Sequence, residues 1–193
     1  MRFPDRLRLP LDFDPIALKR DLAAVSSAPW TPHFVSGNYE GDWSVLPLRA
    51  PAGETHPIRM IYSDPTATAF VDTPLLSASP AFRAVVAAFG CEVLAVRLMR
   101  LTPGSTIKTH ADHDLSAEQG RARLHVPITT NPKVEFLVNG RPVVMKPGQA
   151  WYLRLSDPHS VANRGATERT HIVLDVVADA WLLARMEEAA AAA

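Results

Sequence analysis

One cysteine, Cys91, stands in the 193 residues, so no disulfide can form within the chain. A chain without disulfides depends on its buried core, and this length is enough to bury a full one. Cys91 follows Gly90 with no evident histidine partner, which makes it a buried structural thiol rather than a nucleophile. An excess of charge of one sign is also missing: Lys+Arg and Asp+Glu both number 20. A chain with no net field is not built to collect nucleic acid, and none is expected as a partner. No apolar run approaches the ~20 residues of a membrane-spanning helix. The basic start at residues 1–8 lacks the continuous apolar stretch of a secretory leader. No membrane association and a cytoplasmic location are therefore expected. No internal repeat or linker interrupts the chain, so a single domain over 1–193 is expected. With 47% hydrophobic and 21% charged residues, the composition is that of a globular protein. Nothing in these counts bears on oligomeric state.

What is present divides near residue 91. In the first part, 1–91, Asp14 and Pro15 open an amphipathic pattern over 14–25, a helix with an N-cap and a first-turn proline. A second helix is expected over 80–89, capped by Ser79 and closed by Gly90. Residues 30–78 mix Pro, Gly, Asn and Trp irregularly. They read as loops with short strands, 43–48 among them, and as a substrate-facing region. From Glu92 the pattern becomes short β-type runs broken by turns. Strands are expected at 93–101, 123–129, 134–138, 142–145, 149–153 and 170–177. Asn139-Gly140 joins two of them as a hairpin, because both turn positions need positive φ. A closing helix is expected at 179–188, within a C-terminal part 179–193 whose alanine tail, 189–193, frays. Short strands at about ten-residue spacing point to a mainly β fold, a jelly roll of the double-stranded β-helix kind, with flanking helices at both ends. Its β core would occupy 92–178.

One segment of that core carries ligand chemistry. On an extended strand His110 and Asp112 share a face, so an imidazole and a carboxylate can meet one ion. By itself His-x-Asp is also what a solvated polar turn provides. Here it follows a hydrophobic strand and the Pro103-Gly104 turn, and a second histidine at a strand edge, His159, lies downstream as third ligand. His113 and Asp114 are rivals. Pairing His110 with His113 would need a helix, which Pro103, Gly104 and β-branched Thr106, Ile107 and Thr109 oppose. Two histidines and one carboxylate leave coordination positions open. That suits non-haem Fe(II), which must bind a bidentate co-substrate and still admit O2, better than zinc in a closed tetrahedral site. No catalytic side chain beyond the metal ligands is expected.

A 2-oxo diacid co-substrate needs cationic anchors, and arginine offers a planar fork for a carboxylate. Arg169 opens the last strand ten residues after His159, and Arg123 and His125 share one face of their strand. Arg169 is followed by His171, Val173 and Asp175 on one face, a polar alternation that is unusual inside a sandwich unless it lines a site.

Taken together, residues 92–178 resemble the aspartyl/asparaginyl β-hydroxylase family of 2-oxoglutarate oxygenases. The matching stretches are Pro103-Gly104 with His110 seven residues after the proline, Arg123-Leu124-His125, and His159 with Arg169 ten residues on. The resemblance implies iron ligation by His110 and His159. It also implies binding of the 2-oxoglutarate C1 carboxylate by Arg123 and His125, and of the distal carboxylate by Arg169. The animal peptide hydroxylases of the family have glycine two residues after the first ligand. This chain has Asp112 there, and so is similar to the bacterial branch with a complete triad, which includes enzymes of free proline. The implied reaction hydroxylates an unactivated C–H bond of an amino acid, free or within a peptide, with Fe(II) as cofactor, 2-oxoglutarate and O2 as co-substrates, and succinate and CO2 as products. Trp43, Arg59, Arg97 and Arg121 are the candidate substrate contacts, the arginines suiting a carboxylate. The alternative is a cupin-like jelly roll that binds a metal or small molecule without oxygenase activity; it would have no use for a diacid clamp.

Overall fold

Turn residues cut the chain into short extended segments, and chirality dictates two of the turns. Asn139 and Gly140 sit at φ 51° and 69°, the left-handed region that a two-residue hairpin loop requires and that Asn and Gly reach at least cost. Gly148, at φ 84°, lies with the Phe13 carbonyl where a Cβ would stand, so only glycine fits.

The protein is described by a computed structural model over residues 2–62, 64 and 66–192. Its strands are β1 Arg6–Asp12, β2 Thr31–Pro32, β3 Tyr39–Glu40, β4 Trp43–Pro51, β5 Phe70–Asp72, β6 Val93–Leu101 and β7 Thr106–His110. They continue as β8 Arg121–Thr129, β9 Val134–Val138, β10 Arg141–Pro142, β11 Gln149–Leu153, β12 His159–Asn163 and β13 Arg169–Val177. The helices are α1 Pro15–Ala24, α2 Pro57–Ile61, α3 Pro74–Ser77, α4 Pro80–Ala88 and α5 Ala180–Ala191. Among the described residues no helix is long and apolar enough to cross a membrane.

The strands form two antiparallel sheets. The major sheet runs β1-β11-β8-β13-β6-β4-β2, with β5 on β4, and the minor sheet runs β10-β9-β12-β7-β3. From β6 to β13 the chain winds between them: β6, β8, β11 and β13 join the major sheet, while β7, β9, β10 and β12 join the minor. This is the expected double-stranded β-helix, and β1 to β5, from the part before residue 91, also join its two sheets.

Alternation on β13 shows how one strand serves two interiors. Ile172, Leu174 and Val176 pack with Leu124 and Val126 of β8 and with Leu18, Phe82, Val85, Leu182 and Met186 from α1, α4 and α5. Each such side chain contributes ~1.5–3 kcal/mol on burial. Val173 belongs to the other cluster, between the sheets, with Ile107, Phe136 and Val161 of the minor sheet. Arg169, His171 and Asp175 share its face. The helices therefore cover the outside of the major sheet and leave the space between the sheets for polar groups.

Several local expectations are corrected. The basic start, for which no strand was expected, forms β1 and pairs with β11, with Arg6 opposite Leu153 and Arg8 opposite Trp151, while Leu7 and Leu9 are buried. Its strict polar–apolar alternation was a legible strand signal. Ser79 stands at the N-cap of α4 as expected, but its hydroxyl donates to the Leu75 carbonyl at 2.8 Å and makes no side-chain cap. The cap is Asp21 of α1, whose carboxylate accepts from Ala81 N at 2.6 Å and Phe82 N at 3.3 Å, a partner distant in sequence. Gly90 is not a left-handed cap but makes room for the Trp181 ring, 2.7 Å from where a Cβ would stand. The strand expected at 142–145 shrinks to β10, because the chain leaves the minor-sheet edge after Pro142, bound for β11 in the other sheet. α5 runs past Ala189, which is buried, so the tail is ordered helix through Ala191; residue 193 lies outside the described residues. Asp179 caps α5, accepting from Leu182 N at 3.1 Å.

Candidate metal centre and its two cavities

β7 ends at His110 and β12 begins at His159, and the register sets these residues opposite each other. Their ring centroids are 4.2 Å apart. His110 Nδ1 is 2.8 Å from the Lys108 carbonyl and His159 Nδ1 is 3.1 Å from the Asp157 carbonyl. A carbonyl only accepts, so each ring donates from Nδ1 and leaves a lone pair on Nε2. Asp112 joins them by a route other than the expected one. β7 stops at His110, so strand alternation does not place Asp112. Its backbone N–H donates to the Leu155 carbonyl at 2.8 Å, and its Oδ1 lies 3.9 Å from His110 Nε2. One ligand atom from each of His110, Asp112 and His159 lies within 4.8 Å of the others. His113 and Asp114 are exposed beyond the strand end and take no part in this group.

A line of alternating charge leads away from Asp112. Its Oδ2 accepts from Arg123 Nη1 at 2.8 Å. Arg123 donates to both carboxylate oxygens of Asp175, at 2.6 and 3.1 Å, and Arg97 Nη1 donates to Asp175 at 2.7 Å. Burial disfavours charge on Arg97, Arg123 and Asp175. Arg123 and Arg97 nonetheless hold Asp175 well below the usual carboxylate range, and Asp175 and Asp112 hold Arg123 above its ordinary value. Arg123 is thus committed to two acids rather than held apart for a ligand.

Behind the histidines lies a narrow inner cavity of about 40 Å³, lined by the triple, Trp43, Arg123, His125, Phe136 and Arg169 among others. Both ring nitrogens of His125 and Nε of Arg169 are buried without a hydrogen-bond partner. Burial, then Arg169 and Arg123, pulls His125 well below the ordinary histidine range, so it is neutral. Burial pushes Arg169 down to about 9, which leaves it cationic at neutral pH. No acidic side chain among the described residues pairs with it. Buried polar groups without partners are costly, and a ligand that supplied them would recover that cost. The donor set of two Nε2 atoms and one carboxylate suits Fe(II), and the uncompensated Arg169 with the orphaned His125 suits an organic anion behind it.

An outer cavity of about 280 Å³ opens in front, lined by His33, Phe34, Trp43, Tyr62, Arg97, Arg121, Arg123, His110 and Asp112 among others. Its apolar wall is an aromatic group. His33 lies flat on Trp43, with centroids 3.5 Å apart and planes within 6°, and Tyr39 meets Trp43 edge-on at 5.7 Å. Burial, followed by Arg123 and Arg97, pulls His33 down to about 3 and keeps it neutral. Trp43, Arg97 and Arg121 thus lie on this cavity. Arg59 does not: it is exposed on α2, 3.8 Å from Glu54, because that short helix turns Ile61 inward instead. His33, Phe34 and Asp175 were not singled out from the sequence as site residues. Asp175 was legible in the polar alternation of β13; His33 and Phe34 carry no motif. Cys91 is buried and unpaired, and burial pushes its thiol up to about 11.

Fold and site together define a double-stranded β-helix with a His-Asp-His group at one end of its sheets. The profile of the aspartyl/asparaginyl β-hydroxylase family matches residues 17–179, and the chain belongs to that family. The match begins well before the 92–178 stretch that carries the motifs. The chain is 27% identical over 171 residues to an L-proline cis-4-hydroxylase of Rhizobium meliloti, covering 88% of this chain and 59% of that protein. It thus spans about three fifths of that relative's length. An oxidoreductase of the 2OG-Fe(II) oxygenase family from Burkholderia pseudomallei superposes with TM-score 0.58 at 19% identity, over 91% of this chain and 86% of its own. A Pseudomonas putida prolyl-4-hydroxylase superposes with TM-score 0.52 at 12% identity, over 90% and 92%. Both carry this fold.

Proposed function

We propose that the chain is an Fe(II)- and 2-oxoglutarate-dependent oxygenase that hydroxylates an unactivated C–H bond of a small amino acid. The observation that carries this reading is a candidate metal-ligand triple sharing its inner cavity with a buried arginine that has no acidic partner among the described residues. In this reading His110, Asp112 and His159 hold Fe(II). His125, beside Arg123, takes the 2-oxo acid end of 2-oxoglutarate, and Arg169 takes its distal carboxylate. When bound, iron, 2-oxoglutarate and O2 together convert C–H to C–OH and release succinate and CO2.

The chain's own residues orient and select. The carbonyls of Lys108 and Asp157 hold the two imidazoles in the ligating tautomer. Arg123 grips Asp112 through Oδ2, so one carboxylate oxygen is directed and the other faces the histidines. Arg97 and Arg123 line the outer cavity, and both donate to the Asp175 carboxylate. Arg121, on the same cavity, is the cation that suits a substrate carboxylate. The flat His33–Trp43 stack offers an apolar surface for the rest of the substrate. A cavity of about 280 Å³ fits a small molecule, and the proline hydroxylase among the relatives makes L-proline the first substrate to test. A cytoplasmic location fits a chain whose one cysteine is buried and unpaired.

The test is a panel of amino acids and short peptides with iron-loaded protein, 2-oxoglutarate and O2. Succinate release and a product gaining one oxygen atom are scored. An amino acid, L-proline first, is expected to give both, each dependent on Fe(II) and 2-oxoglutarate. Failure of the iron-loaded protein to bind 2-oxoglutarate, or to form succinate with any member, sinks the proposal.

A further inference from the structure

Arg169 and His171 lie two residues apart on β13, and both are 2% exposed. Strand alternation turns both toward the space between the sheets. Arg169 Nη2 is 2.9 Å from His171 Nδ1. A guanidinium only donates, so Nδ1 accepts, and the neutral ring carries its proton on Nε2. Burial, with Arg169 and His125 adding to it, pulls His171 well below the ordinary histidine range, in keeping with a neutral acceptor. In the same sheet Arg97 and Arg123 are satisfied in the usual way, by the carboxylate of Asp175. Arg169 has a partner of a different kind, one that takes a hydrogen bond and returns no charge.

The position of Arg169 makes that partner consequential. Its side chain lines the inner cavity behind the metal ligands. With His171, Phe136, Val143 and Lys146 it also lines a separate cavity of about 350 Å³. The β8–β9 and β10–β11 connections line that second cavity, which places it at the far end of the sandwich from His110 and Asp112. The guanidinium stands between two spaces, and its orientation decides which of them receives the charge.

We infer that His171, which lines the far cavity with Arg169, is a positioning residue that holds the guanidinium in place between the two cavities while leaving its charge uncompensated, and so sets the affinity of the inner cavity for the distal carboxylate of a diacid. This rests on the reading that 2-oxoglutarate occupies the inner cavity. An acidic residue at 171 would hold the guanidinium as well but neutralise it, and would repel an incoming dianion. An apolar residue would leave the charge intact and free the guanidinium from that restraint. Only a neutral acceptor both restrains the arginine and keeps its field for the ligand.

The experiment is calorimetric binding of 2-oxoglutarate to the Mn(II)-loaded full chain, which needs no turnover, in the unaltered protein and in His171→Gln, His171→Leu and His171→Asp. Oxalate, a metal chelator without the distal arm, is the control, and melting temperatures are recorded alongside. His171→Gln, still a neutral acceptor, is expected to stay within about threefold of the unaltered protein, His171→Leu to weaken binding roughly tenfold, and His171→Asp roughly a hundredfold. Oxalate binding is expected to change in none of them. Full 2-oxoglutarate affinity in His171→Asp overturns the inference, as does an equal loss of oxalate affinity, which marks a merely structural role. Where His171→Asp is too unstable to measure, undiminished affinity in His171→Leu overturns it in the same way. An unaltered protein that binds oxalate but not 2-oxoglutarate overturns the reading of the cavity itself, a distinguishable failure.

Discussion

Asp112 reaches the metal group from beyond the end of β7, held by its own N–H on the Leu155 carbonyl and by Arg123 on Oδ2. Spacing from His110 singled it out, but through a strand alternation that the backbone does not continue that far. The residue was legible; the reason it works was not, because Leu155 and Arg123 are remote in sequence. Asp112→Ala removes one proposed ligand and one acid partner of Arg123. Succinate formation is expected to fall by at least about a hundredfold, with weaker Fe(II) binding measured by titration of the metal-free protein. The fold should persist, because Asp112 is partly exposed. Arg59 shows the opposite limit. As a residue type it suited a carboxylate, but which side of a five-residue helix faces a cavity depends on packing that composition does not encode.

At the scale of elements, β13 separates stability from ligand chemistry by alternation. Ile172 is fully buried on the face toward the helices. Ile172→Ala is expected to cost ~2–5 kcal/mol in denaturant unfolding while leaving 2-oxoglutarate affinity unchanged. The same period-2 pattern was visible in the sequence, which is why the polar face of this strand could be read. The β10–β11 connection is a different case. Gly148 has positive φ and faces the Phe13 carbonyl, with Phe13 N donating to Gly148 O at 2.8 Å. Gly148→Ala is expected to destabilise by ~1–3 kcal/mol, through both the left-handed backbone and the clash, measured as a lower denaturation midpoint. Pro147-Gly148 is a turn signal in the sequence; that the turn packs on the segment before α1 is not written there. Nor is the capping of α4 by Asp21, since sequence motifs record only local caps.

Across the whole molecule, the polar space between the sheets sets the response to acid. Burial is the first cause holding His33 at about 3 and His125 and His171 well below the ordinary range. In the unfolded chain each titrates near 6.5 and takes up a proton that the folded state refuses. The unfolded state therefore binds more protons below about 6.5, and stability falls as pH drops toward the folded values. Above that pH these groups contribute no slope. The melting temperature of metal-free protein is expected to fall progressively from pH 7 to 6 to 5, each fully expressed histidine contributing up to about 1.4 kcal/mol per pH unit. A melting temperature independent of pH over that range contradicts the assignment of neutral buried rings.

The sequence by itself determined the strand periodicity, the turns at Asn139-Gly140 and Pro147-Gly148, the fold class, and the residue types of the site: His110, Asp112, His159 and the arginine ten residues on. These are local properties, written in neighbouring side chains and in the φ angles that only some residues tolerate. Tertiary structure alone decided that His110 and His159 stand opposite each other, that Arg123 is spent on Asp112 and Asp175, that His33 lies on Trp43, and that Arg169 is left with a histidine instead of an acid. Each of those is a pairing across sheets or between distant strands. Its energy comes from burial and from the partner present in that buried space, and neither exists until the two sheets have closed on each other.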